Sequence, residues 1–472
     1  MRTVPVSPET LSLKGRQFTV CAEKWVYGGQ ALCRLLTTEN SEIPQALEKA
    51  VIFVSGLLPG ETAAVTSLQK RRGVWWAELI SGSIQDASPQ RIIPECTVFD
   101  SCGGCQWQMA TIDTQRHWKK TILKETLERA LGKTFPELVI PEIQDWSESI
   151  PAFETRHTAR WQVDVSQTPV KIGYMAEGTS TIVNFDACLV LPDLMNRTVA
   201  CLKKALSDLQ PNLRPPIQSM MMRMTPEGAA LLRIDIDKSE KQVKPWLPVG
   251  ENLYSQLKPI TGETLTMILT NGKRRSLIGA ELPLQTVGEI DLRVSEDSFF
   301  QVNPYGLEPM LDHLTEWAGA LEAKALPHKN TGIDLYAGVG TFGFALAPLF
   351  EKMVLVESSP ASIEDAHQNN LSLGHAHVSV LGGPVEKVIQ GLKRSFDWIV
   401  LDPPRAGCDS QVLDWVNRWG KDTLIYISCD PTTLARDLKL LLAGGWSIVD
   451  VATVDMFPQT SHIESVLRLR KC

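Results

Sequence analysis

Two rhythms divide the chain. From residue 331 onward, short apolar runs alternate with amphipathic stretches. The runs Gly332–Tyr336, Met353–Glu357, His377–Leu381, Trp398–Leu401 and Leu424–Ser428 predict strands. The stretches between and after them, Thr341–Phe350, Pro360–Leu373, Pro384–Leu392, Gln411–Arg418 and Pro431–Leu442, predict helices. Such alternation predicts an α/β, doubly wound parallel sheet with helices on both faces. Ser447–Val454 and Ser465–Leu469 predict two further strands. The other rhythm, from about Leu13 to Ile80, is of short strands cut by turn signals at Gly28-Gly29 and Pro59-Gly60. That pattern suits a small β-barrel of the oligonucleotide-binding kind, with Pro44–Lys49 its one helical stretch. Leu123, Leu127 and Leu131 form the stripe of one long helix over Trp107–Leu131. The region from Pro136 to Glu289 is mixed α+β, with strands expected at Ala159–Val165, Lys171–Tyr174, Ala229–Asp235 and Thr264–Thr270.

Composition narrows the partners. The chain has 472 residues, 43% of them apolar, and a formal charge of -7. An acidic balance argues against coating nucleic acid through phosphate neutralisation alone, and leaves room for local basic surfaces. Lys70-Arg71-Arg72, Lys119-Lys120, Lys273-Arg274-Arg275 and Arg468-Arg470-Lys471 are the candidates. Met1–Lys14 has no apolar core followed by a cleavage site, and no run reaches the length of a membrane span. A cytoplasmic location is therefore expected, where ten cysteines point to metal binding or catalysis before disulfides. Nothing demands more than a monomer.

Four motifs carry chemistry. Asp334-Leu335-Tyr336-Ala337-Gly338-Val339-Gly340-Thr341 runs from a strand through a glycine-rich turn into a helix. Such a turn lets a ligand approach the backbone, and Glu357 at the end of the next strand could hold a ribose diol. With Gly343 the spacing suits a nicotinamide cofactor and S-adenosylmethionine alike. Leu401-Asp402-Pro403-Pro404-Arg405 ends the fourth strand, because two prolines remove two donors, and leaves Asp402 at the sheet edge. Tyr426-Ile427-Ser428-Cys429-Asp430-Pro431 ends the fifth strand in a thiol, with Asp430 as a helix N-cap and Pro431 at the first helical position. Asp455–Glu464, sequence DMFPQTSHIE, reads as a loop between the last two strands. Upstream, Cys96, Cys102 and Cys105 form a C-x5-C-x2-C array.

These strings together resemble the S-adenosylmethionine-dependent RNA (uracil-5-)-methyltransferase family. More narrowly they resemble its bacterial 23S ribosomal RNA branch, which carries a TRAM domain and an iron–sulfur cluster. The resemblance covers nearly the whole chain. It implies a TRAM-like barrel over 12–82, a central α+β cluster domain over 83–106 and 136–290, and a Rossmann-like methyltransferase domain over 107–135 and 291–472. It places the nucleophile on Cys429, within YISCDPTTLARD, and the base on Glu464. A thiolate added at uracil carbon 6 makes carbon 5 enolate-like; after methyl transfer a base must remove the carbon 5 proton. Cofactor contacts fall on Gln301, in Phe299-Phe300-Gln301-Val302-Asn303, and on Tyr336, Gly338, Thr341, Glu357 and Asp402. A [4Fe–4S] cluster would take Cys96, Cys102, Cys105 and Cys188. Two positions depart from the family pattern: Thr341 stands where Asn is common, and Gly382-Gly383 where a polar residue meets the adenine. The expected product is 5-methyluridine in 23S rRNA. The alternatives are the same chemistry on tRNA, or a non-catalytic RNA-binding assembly factor.

Overall fold

The computed structural model describes residues 15–36, 47, 49–239, 241–322 and 330–472. Residues 12–14 of the expected barrel, and most of the helical stretch expected at Pro44–Lys49, lie outside the described residues. The chain divides into two compact units. One comprises residues 1–99, 105–122 and 459–462, the other residues 100–104, 123–458 and 463–472.

The first unit holds a closed barrel of five strands: β1 (Phe18–Trp25), β2 (Ala31–Leu35), β3 (Ile52–Val54), β4 (Thr62–Arg71) and β5 (Val74–Leu79). Its interior follows the period of two expected of strands: Val20, Ala22, Ile52, Val54, Ala63 and Val65 are buried. The long helix α1 (Ile112–Leu131) starts five residues later than its apolar stripe suggests. The Thr111 hydroxyl accepts from Thr114 N, ending the helix there, and Gln115 Nε2 binds the carbonyls of Trp107 and Ala110. Trp107 is free of the helical turn and stacks on Trp25 with ring centroids 4.3 Å apart.

In the second unit, β6 (Ile143–Asp145) precedes a seven-stranded sheet. That sheet is built from β7 (Thr158–Asp164), β8 (Lys171–Met175), β9 (Ile182–Asn184), β10 (Ile217–Met224), β11 (Ala230–Ile236), β12 (Leu265–Thr270) and β13 (Arg275–Gly279). Its order is β13-β12-β11-β10-β7-β8-β9. Helices α2 (Asp193–Asp208) and α3 (Leu247–Thr261) accompany it and pack on each other. Strand β10 has no β-branched run; it is Met-rich, and its methionines are buried. A hairpin, β14 (Leu284–Val287) and β15 (Ile290–Arg293), leads to helix α4 (Pro304–Glu322).

The remaining strands are β16 (Thr331–Leu335), β17 (Lys352–Glu357), β18 (Val378–Gly382), β19 (Phe396–Leu401), β20 (Gly420–Ser428), β21 (Trp446–Val454) and β22 (Glu464–Lys471). Between them run α5 (Thr341–Leu346), α6 (Pro360–Leu373), α7 (Val385–Val388), α8 (Ser410–Trp419) and α9 (Pro431–Ala443). The sheet order is β18-β17-β16-β19-β20-β22-β21-β6. Strands β16 to β20 are parallel, as helical crossovers require. Strand β22 enters antiparallel between β20 and β21. This reversal matters, because the carboxyl end of β20 then meets the amino end of β22. The core beneath that edge includes Leu355, Val400, Ile425, Ile427 and Val466. Among the described residues no helix is long and apolar enough to cross a membrane.

Candidate active site

The site grows from strand ends. Ser428, the last residue of β20, pairs with Ser465, so Cys429 just beyond the strand comes beside Glu464, whose carboxylate acts on it. Glu464 is thus the first residue of β22, paired with Val454, and not part of the loop as the sequence suggested. The apolar Val466 and Leu467 extend the strand back to it, and its own side chain is only 5% exposed. After Cys429 the chain turns at once into α9. The Asp430 carboxylate accepts from Thr432 N at 2.8 Å and Thr433 N at 3.1 Å, and Pro431 opens the helix.

Charge around the thiol pulls in two directions. Burial pushes Cys429 up to about 11; the Glu464 carboxylate adds to this, the Arg405 guanidinium opposes it, and Asp402 raises it further. Glu464 is held well above the ordinary carboxyl range, by burial first and then by Asp402, with Arg405 opposing. Burial also lifts Asp402 to about 7, against a hydrogen bond from Gln301 Nε2 at 3.4 Å. Cys429, Glu464, Asp402, Gln301 and Arg405 therefore form one interacting cluster. Arg405 carried no role in the sequence reading. It follows Pro403-Pro404 on the loop after β19, and only the fold brings that loop beside β20. It is a cation near a thiol that needs one.

Gln301 is positioned by a buried scaffold. Arg223, 3% exposed, donates to the carbonyls of Val294, Ser295 and Ser298. Asp365 accepts from Ser295 N and from the Ser295 and Ser298 hydroxyls. Asn303, fully buried, donates to the carbonyls of Asp455 and Met456. The segment carrying Gln301 is thereby fixed on both sides, and Asn303 ties it to the chain entering β22.

The neighbouring strand ends form a cradle. Tyr336, Gly338 and Gly340 all have positive φ, at 67°, 59° and 94°. A Cβ on Gly340 would lie 2.3 Å from the Phe344 ring, so glycine is needed there. Gly338 N donates to Glu357 Oε2 at 2.8 Å, while Glu357 Oε1 accepts from Ser358 N and Ser359 N. Asp334, wholly buried, accepts from Gly343 N and is raised well above the carboxyl range by burial, then by Asp402. Thr341 opens α5, and Gly383 N is spent on the Glu357 carbonyl. Backbone amides, a carboxylate and a half-open turn suit a nucleoside with a charged tail.

The three cysteines of the C-x5-C-x2-C array and Cys188 are all half-buried. Cys96 and Cys105 fall in the first unit, Cys102 and Cys188 in the second. In the second, both thiols lie within electrostatic reach of the Tyr174 hydroxyl, and Gly104 N donates to Cys102 Sγ at 3.4 Å. Among the described residues, no group of three or more His, Cys, Asp or Glu is placed to hold a metal ion.

Comparison with known proteins gives the class. The family model of tRNA (uracil-5-)-methyltransferases matches residues 386–472. An uncharacterised RNA methyltransferase of Halalkalibacterium halodurans is 31% identical over 450 residues, covering 90% of this chain and 93% of its own. One from Gloeobacter violaceus is 28% identical over 483 residues, covering 99% of each. The solved tRNA (uracil-54, C5)-methyltransferase of Pyrococcus abyssi, in complex with S-adenosyl-L-homocysteine, has the same fold. Its TM-score is 0.68 at 20% identity, over 95% of this chain and all of that one. The chain belongs to the uracil-5 RNA methyltransferase family. Its class of reaction is methyl transfer from S-adenosylmethionine to RNA.

Proposed function

We propose that this enzyme makes 5-methyluridine in 23S rRNA, with Cys429 as nucleophile and Glu464 as base. The supporting observation is the facing pair at the β20–β22 edge, with Arg405 and Asp402 beside it. Cys429 Sγ adds to uracil carbon 6, and carbon 5 takes the methyl group from the sulfonium. Glu464 then removes the carbon 5 proton, and the thiolate leaves. A carboxylate held above its ordinary range is a stronger base than a free one, which suits that last step. Arg405 favours the thiolate. Gln301 and Asp402 orient the reactants, while Tyr336, Gly338, Thr341 and Glu357 hold the cofactor. The uridine must leave its stack to reach Cys429, so a loop or an extruded base is the substrate.

The choice of 23S rRNA rests on the family resemblance, supported by the amino-terminal barrel. The tRNA reading is favoured by the family model matched at 386–472 and by the substrate of the Pyrococcus abyssi enzyme. A [4Fe–4S] cluster on Cys96, Cys102, Cys105 and Cys188 is proposed on the resemblance and on the softness of four thiolates. No step of the reaction runs through it. Incubating the enzyme with S-adenosylmethionine and either 23S rRNA or bulk tRNA, then mapping methyl groups by mass spectrometry, decides the substrate. Methylation of tRNA alone overturns the ribosomal assignment; methylation of neither overturns the activity.

A further inference from the structure

The loop from Asp402 to Cys408 carries two of the site's charges, so what holds that loop matters to the chemistry. Its grip comes from the first turns of α9. The Thr433 hydroxyl donates to the Arg405 carbonyl at 3.2 Å. Arg436 Nη2 donates to the carbonyls of Ala406 at 2.9 Å and Cys408 at 3.2 Å. Cys408 N donates to Asp437 Oδ2 at 2.8 Å. Gly407 sits at φ +74° with its Cβ position 2.5 Å from Arg436 Nη2 and 2.7 Å from Asp437 Oδ2, so the loop and helix touch directly. The same helix begins at Pro431, two residues after Cys429. One helix thus fixes both the thiol and the loop bearing Arg405.

The Cys408 side chain extends this link to the cradle. It is 6% exposed. Its sulfur lies 3.6 Å from the Tyr426 hydroxyl, whose single proton goes to Asp437 Oδ2 at 2.6 Å, so the Cys408 S–H faces the Tyr426 oxygen. The Tyr336 hydroxyl lies within hydrogen-bonding reach of the same sulfur. Tyr336 is the left-handed residue that starts the glycine-rich turn. Burial pushes the Cys408 thiol up to about 12, so it stays protonated and is no second nucleophile. Asp437, with none of its surface exposed, gathers Tyr426, Cys408 N and Arg436.

We propose that Cys408 and Asp437 are positioning residues for methyl transfer: together they lock the Arg405 loop to the helix after Cys429 and, through the Cys408 sulfur, to Tyr336 at the cofactor cradle. Neither touches a reacting atom. The proposal rests on Cys429 being the nucleophile and on the cradle binding the cofactor.

The test separates the two arms. Cys408→Val removes the acceptor at nearly constant volume. It should weaken S-adenosylhomocysteine binding, measured by calorimetry, about fivefold, the worth of one buried hydrogen bond. KM for S-adenosylmethionine should rise with it, while kcat changes less than about twofold. Cys408→Ser restores a group that can accept from Tyr336 and donate to Tyr426, and should return affinity to within about twofold. Asp437→Asn should shift the pH profile of Cys429 alkylation by iodoacetamide, read peptide by peptide, to higher pH as Arg405 loses its fixed place. Natural affinity in Cys408→Val, no recovery in Cys408→Ser, or an unmoved profile in a folded Asp437→Asn each overturns the proposal. If Asp437→Asn does not fold, the two Cys408 variants decide it. A natural chain that binds cofactor and methylates no RNA defeats the parent reading instead, and this proposal with it.

Discussion

Replacing Glu464 by glutamine should make Cys429 more reactive toward a small electrophile while abolishing turnover. Cys429 follows Ser428, the last residue of β20, and Glu464 precedes Ser465, its partner on β22. One residue beyond a strand pair whose Cα atoms lie about 5 Å apart, the two charges are set roughly 6 Å apart. At an effective dielectric of about 20, that separation gives about 2.8 kcal/mol. Cys429 is only half-buried, and solvent roughly halves the interaction. Loss of the carboxylate then moves the thiol from about 11 to about 10. The sign depends on pH. Below the raised range of Glu464 the carboxyl is already neutral, so the variant and the natural chain should label alike. The gap opens as pH rises through that range, reaching about tenfold faster alkylation of Cys429 near pH 9, where the thiolate fraction sets the rate. With RNA and cofactor present, addition and methyl transfer proceed but elimination stalls, so a covalent protein–RNA species should accumulate. The assay is peptide-resolved iodoacetamide labelling across pH, alongside a denaturing gel of the RNA reaction. Labelling that is unchanged or slower near pH 9 refutes the facing-charge argument. Normal turnover without the adduct removes Glu464 from the base role.

Arg405→Gln should act in the opposite sense, shifting Cys429 labelling to higher pH because it removes the cation that favours the thiolate; an unmoved profile would deny Arg405 its part. Gly340→Ala combines a strained φ of +94° with a Cβ placed 2.3 Å from a buried ring. It should cost about 2–5 kcal/mol and weaken S-adenosylhomocysteine binding; a thermal midpoint within about a degree of the natural chain speaks against this. Arg223→Met leaves three backbone carbonyls without their donor. It should lower stability by about 2–5 kcal/mol in urea titration, less any gain from not burying the guanidinium, and should weaken Gln301-dependent activity; unchanged stability would mean the carbonyls find other donors.

What the sequence made legible was local. The strand–helix rhythm after residue 331 fixes the parallel strands closely, because each element carries its own period and its own stop signal. Pro360 and Gly374 bound α6, and Asp430 and Pro431 start α9. Strand β10 was missed because methionine fills a buried strand without the branched or aromatic signature that marks one. Helix α1 was overrun because Trp107 lies on the apolar stripe but is drawn into stacking on Trp25. The candidate site shows the same limit. Cys429, Asp402 and Glu464 stand in recognisable strings, but their mutual placement depends on β22 entering antiparallel beside β20. Arg405, Cys408 and Asp437 were invisible as partners for a related reason. Their contacts join a loop, a helix and a glycine-rich turn that lie far apart along the chain.

That uracil carbon 5 is methylated through a Cys429 adduct at carbon 6 is decided by tritium release. RNA carrying tritium at uracil carbon 5 is incubated with the enzyme and S-adenosylmethionine. Tritium should appear in water in step with methyl incorporation, and both should be lost in Cys429→Ala while that variant still binds S-adenosylhomocysteine. Tritium release that persists in Cys429→Ala, or methyl incorporation without any release, would contradict it.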